Sequence, residues 1–454
     1  MQPRFKPRSH PDAAPLPYRA RLMRSANLLL SAMLLAPAVP ALSSTRLGGG
    51  PSCVRNPEHP ARGRTERVLT PVWRLGDDPD DEIFGEILAA CRDAAGNICM
   101  LDGTLGEVRV YGPDARPHAG REPGGMARPA LIRTLGRIGD GPGEYRRPVA
   151  MCLLADGRLA VAQMIPARLV LFDREGRPAG AIEPDASSGS PGRGLMLART
   201  ALAVGEGVGL TVMMRESGTR RARAVSILAL FDLDGRPRAR LLVKERAEEP
   251  GDRSRLQEAD AWDGLERRWT AAADGTIYAA PEYHGYRIHR FDVTLAETVI
   301  ARDHRPLARD AHERKRREAF FAALAGPQAG VAIEDLHRDI EQVAIGPDGN
   351  VWVLASSGAW RNPPGVLATF DIFDSAGRFI EQTALLGEGD PADDDLWLLG
   401  DRLLLVRGQR ASREHVREEA GERMRDGVAE HGHAGASGRA GGGSDSLACV
   451  CYAL

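Results

Sequence analysis

Apolar and polar residues alternate in short runs along most of this chain, and the runs recur at a spacing of roughly sixty residues. In Ala155–Val161, Ala273–Ala279 and Pro347–Val353 an Asp-Gly pair opens into an alternating apolar segment. Glycine supplies the positive φ that a tight hairpin turn needs, and a period of two predicts a strand with one buried face. The same turn-and-strand piece recurs at Gly96–Met100, Gly205–Val212 and Gly400–Val406, which makes six. A third strand carrying an aromatic follows as Val108–Tyr111, Leu169–Asp173, Leu228–Asp232, Ile288–Asp292 and Phe370–Asp374. Asp173–Gly176, Asp232–Gly235 and Asp374–Gly377 then read as Asx-type turns into a fourth strand. A unit of three or four short strands cannot bury its own faces. Six of them packed side by side predict an all-β chain closed radially, a six-bladed β-propeller with about four strands per blade.

Departures from the repeat predict how the ring is completed. The last unit has two strands, at Leu396–Leu399 and Asp401–Val406, and then a charged and Gly-rich stretch, 411–446, expected to be a mobile insertion. The missing third strand is matched by Leu447–Leu454, and Val68–Asp77 resembles the fourth-strand endings at Leu135–Asp140 and Leu386–Asp390. The terminal segments are therefore expected to share one blade, with Val72–Leu75 antiparallel to Cys449–Tyr452. Leu307–Gly326 has helical composition and is expected to lie over a mouth of the ring. Phe320, Phe321 and Leu324 should then be buried, with Arg309, Lys315 and Arg316 in water.

The run Leu135–Pro148, with Asp156-Gly157 and Leu171–Gly176, resembles the NHL-like repeat of bacterial six-bladed β-propellers. The match is close in that unit and partial in the others. The resemblance implies architecture and an exported location, and it transfers no catalytic residue.

Residues 1–41 read as a signal peptide: Arg19, Arg21 and Arg24 flank the apolar Leu28–Leu35, and Val39-Pro40-Ala41 offers a small-x-small cleavage pattern. That apolar stretch is short for a membrane span, so no transmembrane segment is expected after cleavage. Residues 42–67, rich in Gly, Pro and Arg, are expected to be a flexible leader, and 68–454 the propeller. The competing reading is a lipid anchor on Cys53, which has a poor lipobox in Gly50-Pro51-Ser52. Net charge is −2 over 454 residues, which gives no electrostatic case for nucleic acid. Cys91, Cys152, Cys449 and Cys451 read as small packing residues. A two- or four-residue turn would put Cys91 opposite Met100 or Ile98 and away from Cys99.

Candidate chemistry is sparse. Gly139–Gly143 precedes a strand and not a helix, so it reads as an interblade turn in place of a phosphate cradle. Asp77–Glu82, and Asp390 with Asp393–Asp395, are acidic loops that a calcium ion would suit but without EF-hand spacing. His431 and His433 lie in the Gly-rich stretch. His284 and His289, with Glu282 and Asp263, form the one set that could hold a metal at a ring mouth. His312-Glu313 lacks the second His of a zincin helix. No nucleophile, cofactor motif or metal set is assigned. The expected function is an exported, monomeric binding or scaffold module for a peptide, glycan or protein ligand. The alternative is a metal-dependent hydrolase or lyase, resembling gluconolactonases or peptide amidating lyases, with calcium or zinc in the central channel.

Overall fold

The computed structural model describes residues 51–76, 84–116, 127–185, 196–217, 222–248, 255–260, 265–325, 330–390, 393–410 and 447–454. Strands β1 (Ser52–Asn56), β2 (Arg64–Val68) and β3 (Thr70–Leu75) come first. Blade 1 is β4 (Ile87–Arg92), β5 (Ile98–Asp102), β6 (Glu107–Arg116) and β7 (Arg128–Leu135). A short parallel pair, β8 (Arg137–Ile138) and β9 (Glu144–Tyr145), leads into blade 2. That blade is β10 (Pro148–Leu153), β11 (Leu159–Gln163), β12 (Arg168–Phe172) and β13 (Pro178–Ile182). Blade 3 is β14 (Met196–Val204), β15 (Gly207–Ser217), β16 (Ala222–Phe231) and β17 (Pro237–Glu248).

After β18 (Arg255–Gln257), blade 4 is β19 (Trp269–Ala271), β20 (Ile277–Ala279), β21 (Arg287–Phe291) and β22 (Glu297–Arg302). Helix α1 (Ala311–Ala325) and β23 (Gly330–Ala332), which pairs with β18, precede blade 5. Blade 5 is β24 (Ile340–Ile345), β25 (Val351–Ala355), helix α2 (Ser356–Trp360), β26 (Val366–Phe373) and β27 (Phe379–Leu386). Blade 6 joins β28 (Asp395–Leu398), β29 (Arg402–Arg407) and β30 (Ala448–Ala453) to β3 from the start of the chain.

Six apolar clusters hold these sheets, one between each pair of neighbours. Cys99, Leu101 and Val108 meet Met151, Val161 and Phe172 between blades 1 and 2. Leu169 and Ile182 meet Leu210 and Ile227 between blades 2 and 3. Leu228 packs with Trp269 and Phe291, Tyr286 and Ile300 with Val353 and Phe373, and Trp352 and Phe370 with Leu405 and Tyr452. The sixth cluster, Trp73, Leu404 and Val406 against Ile87, Met100 and Tyr111, closes blade 6 onto blade 1. A side-chain amide reinforces that seam: fully buried Gln409 accepts from the Ile87 N–H (3.2 Å) and donates to the Ile87 carbonyl (2.9 Å), as a neighbouring strand would.

The chain is a six-bladed β-propeller, and the expected closure is present. Trp73, Arg74 and Leu75 lie opposite Cys451, Val450 and Cys449, with a bulge at Val72 beside exposed Pro71. The segment ahead of it departs from the expected leader. Residues 52–56 run parallel to β22 and 64–68 parallel to β27, each as a fifth, outermost strand. Asn56 anchors this belt, donating to the Gly377 carbonyl (2.9 Å) while its Oδ1 accepts from Phe379 N–H (2.8 Å). Composition hid these strands because both lie on the rim, where polar residues are favoured on an outward edge.

Two further expectations are corrected. Cys91 stands directly opposite Cys99, because the hairpin closes with Asp93 N–H on Asn97 O around a three-residue loop ending in Gly96 at φ +85. An odd loop shifts the register by one residue relative to an even one. Both thiols are free, and the contact with Cys99 together with burial raises the Cys91 pKa. Helix α1 begins at Ala311 behind a reciprocal cap, in which Asp310 Oδ1 accepts from Glu313 N–H and Glu313 Oε2 from Asp310 N–H, both at 2.8 Å. Phe321 is buried, Phe320 half-buried and Lys315 exposed; Arg316 is half-buried. Arg309, expected in water, is instead 7% exposed in its side chain because Glu258 holds it. The expected signal peptide (1–41) and mobile insertion (411–446) lie outside the described residues, as does the Leu324 side chain.

Candidate functional site

The antiparallel order of each blade puts the Asp-Gly turns at one end of the ring. Loops between second and third strands, and the crossings between blades, collect at the other end, where the innermost strands β19, β24 and β28 begin. Three blades bring charged and aromatic side chains together there. Arg267, from the crossing into blade 4, reaches blade 6: its Nη2 lies 3.1 Å from Asp395 Oδ2 and its guanidinium 3.9 Å from the Trp397 ring centroid. Its backbone holds φ +60, a left-handed value rare for a residue with a side chain, and its carbonyl accepts from Val343 N–H of blade 5 (2.8 Å). Arg410 approaches the same carboxylate at 3.5 Å and lies 4.9 Å over the Trp360 ring.

Glu341 links this group to blade 5. It accepts from Trp360 Nε1 (3.0 Å) and Arg338 Nε (2.6 Å). Burial pushes its carboxyl up, but the Arg338 charge, these hydrogen bonds and Arg410 outweigh it and bring the pKa to about 2. His337 lies 5.1 Å from Trp360, ring centroid to centroid, and meets Glu313 of α1 at 3.2 Å. Glu313 also takes both guanidinium nitrogens of Arg361 (2.8 and 2.9 Å). That fork, with the cap and His337, holds its pKa at about 2. A second tie fixes the segment before α1. Glu258, 1% exposed, receives Arg309 at 2.6 and 2.9 Å and Arg317 at 2.5 Å, and Arg309 donates to Tyr283 Oη at 2.8 Å. The helix is thus tied to the end of the ring that holds the Trp360 and Trp397 cluster.

The sequence candidates fall elsewhere. His289 is held between two carboxylates, Nδ1 on Glu297 (2.6 Å) and Nε2 on Glu282 (2.7 Å), while His284 faces Glu334 at 3.4 Å. Burial lowers the His289 pKa, yet the two carboxylates raise it above its ordinary value. Glu282, Tyr283 and His284 face Leu242, Val243 and Lys244 of blade 3 across a groove of about 380 Å³. Glu144 closes the Gly139–Gly143 turn by accepting from Gly141 N–H (2.8 Å). Asp394 accepts from Asp390 and Gly408 N–H (2.8 and 3.1 Å), so that acidic loop spends its oxygens on its own backbone and on arginine. Asp263, His431, His433 and Asp77–Glu82 lie outside the described residues. Among the described residues no three His, Cys, Asp or Glu side chains form a group able to hold a metal ion. Arg267, Trp360, Trp397 and Arg410 were not singled out from sequence. Only the cross-blade geometry unites them.

The chain matches no family model and no curated protein sequence. Solved structures similar to it include a member of the DUF4221 family from Bacteroides vulgatus, at 9% identity and TM-score 0.42 over 85% of this chain and 97% of that chain. A calcium-binding protein, regucalcin, from Agrobacterium tumefaciens gives 12% identity and TM-score 0.37 over 85% and 94%. Virginiamycin B lyase from Staphylococcus aureus gives 10% and 0.31 over 71% and 80%. What those proteins bind or cleave stays with them. No described helix is long and apolar enough to cross a membrane. Sheet order and the six interblade clusters, on their own, make this chain a six-bladed β-propeller.

Proposed function

We propose that this chain is an exported binding module whose ring mouth over blades 4 to 6 holds a peptide, glycan or protein ligand. Export rests on the charged flank, apolar segment and cleavage pattern within residues 1–41. The observation that supports binding is Arg267, which bridges blades to Asp395 and Trp397 from a left-handed backbone. Holding a non-glycine residue there costs about 1–3 kcal/mol, and such strain gathers at ligand clamps. Arginine and tryptophan are also the residues that most often dominate binding energy. Peptide and glycan arrays, followed by calorimetry on Arg267→Ala and Trp397→Ala, test the reading. Binding should fall about tenfold or more in both variants. A ligand bound equally by both variants would overturn the site, and turnover of a lactone, ester or phosphoester abolished by one substitution would overturn the module.

A further inference from the structure

The mouth as a binding surface is the premise here, and its chemistry can be taken one step further. Ahead of each innermost strand stands a residue whose carbonyl accepts from the N–H just beyond the second strand. Glu86 accepts from Gly103 (2.7 Å), Arg147 from Met164 (3.0 Å), Arg268 from Ala280 (2.8 Å) and Asp339 from Ser356 (3.1 Å). Asp394 holds the corresponding place before β28, and the position in blade 3 lies outside the described residues. All five are charged, and four have a partner within the protein. Arg268 donates to the Ala280 and Glu282 carbonyls (3.1 and 3.4 Å), and Asp339 accepts from Gly285 N–H and meets His304 at 2.8 Å. Asp394 takes two backbone N–H groups, and Glu86 is likewise engaged.

Arg147 is the exception. Its half-buried guanidinium makes no hydrogen bond or ion pair among the described residues, and burial alone lowers its pKa. Its backbone sits at φ +49 directly before Pro148, where glycine would fit without strain. The neighbourhood over-determines that shape: Arg146 N–H donates to Gln163 Oε1 (2.8 Å), and Gln163 Nε2 donates to the Pro166 carbonyl (2.9 Å). Arg168 Nη2 ties the Glu144 carbonyl into the same loop (3.0 Å). A strained position that keeps a half-buried arginine without a partner among the described residues, where each of its ring equivalents is engaged by a neighbour, suits a side chain that meets a ligand.

We propose that Arg147 receives a carboxylate group of the ligand held at the ring mouth. A guanidinium fork matches the two coplanar oxygens of a carboxylate.

Calorimetry on the full chain with trigalacturonate, tetraglutamate and neutral maltotriose tests this. One acidic probe should bind at least about tenfold more tightly than maltotriose, and which one binds tells whether the carboxylate comes from sugar or peptide. Arg147→Gly should lose about tenfold or more of that affinity while its melting temperature holds or rises, since glycine relaxes φ +49. Arg147→Lys should keep part of the binding. Failure of both acidic probes to bind, equal binding of maltotriose, or unchanged affinity in Arg147→Gly would overturn the proposal. A ligand weakened by Trp397→Ala but not by Arg147→Gly leaves the mouth standing and removes the carboxylate contact. One weakened by neither removes both.

Discussion

Trp73 lies directly opposite Cys451 in an antiparallel pair, so the indole of an early strand and the thiol of the last one share a blade. Both are at most 1% exposed, and both belong to the cluster that seals blade 6 against blade 1. Among the described residues, no other four-stranded blade joins β3 or β30 to the rest of the ring.

A chain cut after Gly443 should therefore lose the ring and not merely a tail. It removes β30, in which Cys449, Val450, Cys451 and Tyr452 are buried and together contribute on the order of several kcal/mol. Their sum rivals the roughly 5–15 kcal/mol that holds a whole protein. Calorimetry should show a transition lowered by many degrees or absent; unchanged melting would refute the closure.

Much of this was legible in sequence because turn chemistry is local. Asp173, Asp232 and Asp374 each accept the N–H groups two and four residues on, around Gly176, Gly235 and Gly377, as the pattern requires. In blade 4 the corresponding left-handed residue is Leu295, at φ +65, which a search for glycine passes over. The belt strands β1 and β2 escaped notice because their partners are hundreds of residues away and their faces are mostly exposed. The mouth escaped for a different reason. Arg267 and Asp395 belong to different blades, and nothing in a period-two pattern tells which loop ends converge.

Glu258→Gln should destabilise the α1 side of the ring by about 3–5 kcal/mol, because it strands two guanidinium groups beside a side chain that is 1% exposed. Chemical denaturation measures the loss. Glu258→Gln with Arg309→Met should recover part of it, and no recovery would mean that the pair is not the origin of the cost.

Acid should loosen the mouth through Glu341. Its folded pKa is depressed to about 2, so its stabilisation is complete above the unfolded carboxylate pKa near 4.3 and is lost as pH falls from there through about 2. The shift corresponds to roughly 3 kcal/mol at neutral pH. Glu341→Gln should flatten the stability profile between about pH 4.5 and 2. A profile identical to that of the unsubstituted chain would contradict the assignment.

His289 should titrate above the ordinary imidazole value, because Glu282 and Glu297 together outweigh its burial. A raised folded pKa means that its stabilisation is present below about 6.5 and fades as pH rises through the folded value. Histidine resonances followed by NMR should show this, and Glu297→Gln should move the midpoint downward. A midpoint at or below the ordinary value would sink it.

The belt of β1, β2 and β3 has a consequence for biosynthesis. These residues are made early, yet β1 and β2 pair with strands near residues 300 and 385, and β3 with the last six-residue strand. At roughly 5–20 residues per second, β3 waits about 20 to 80 s for its partner to be made. Through that interval Trp73 and Leu75 have no strand to pair with. An early strand is thus among the last to be seated, and blade 6 stays open on the growing ring until β30 has been made.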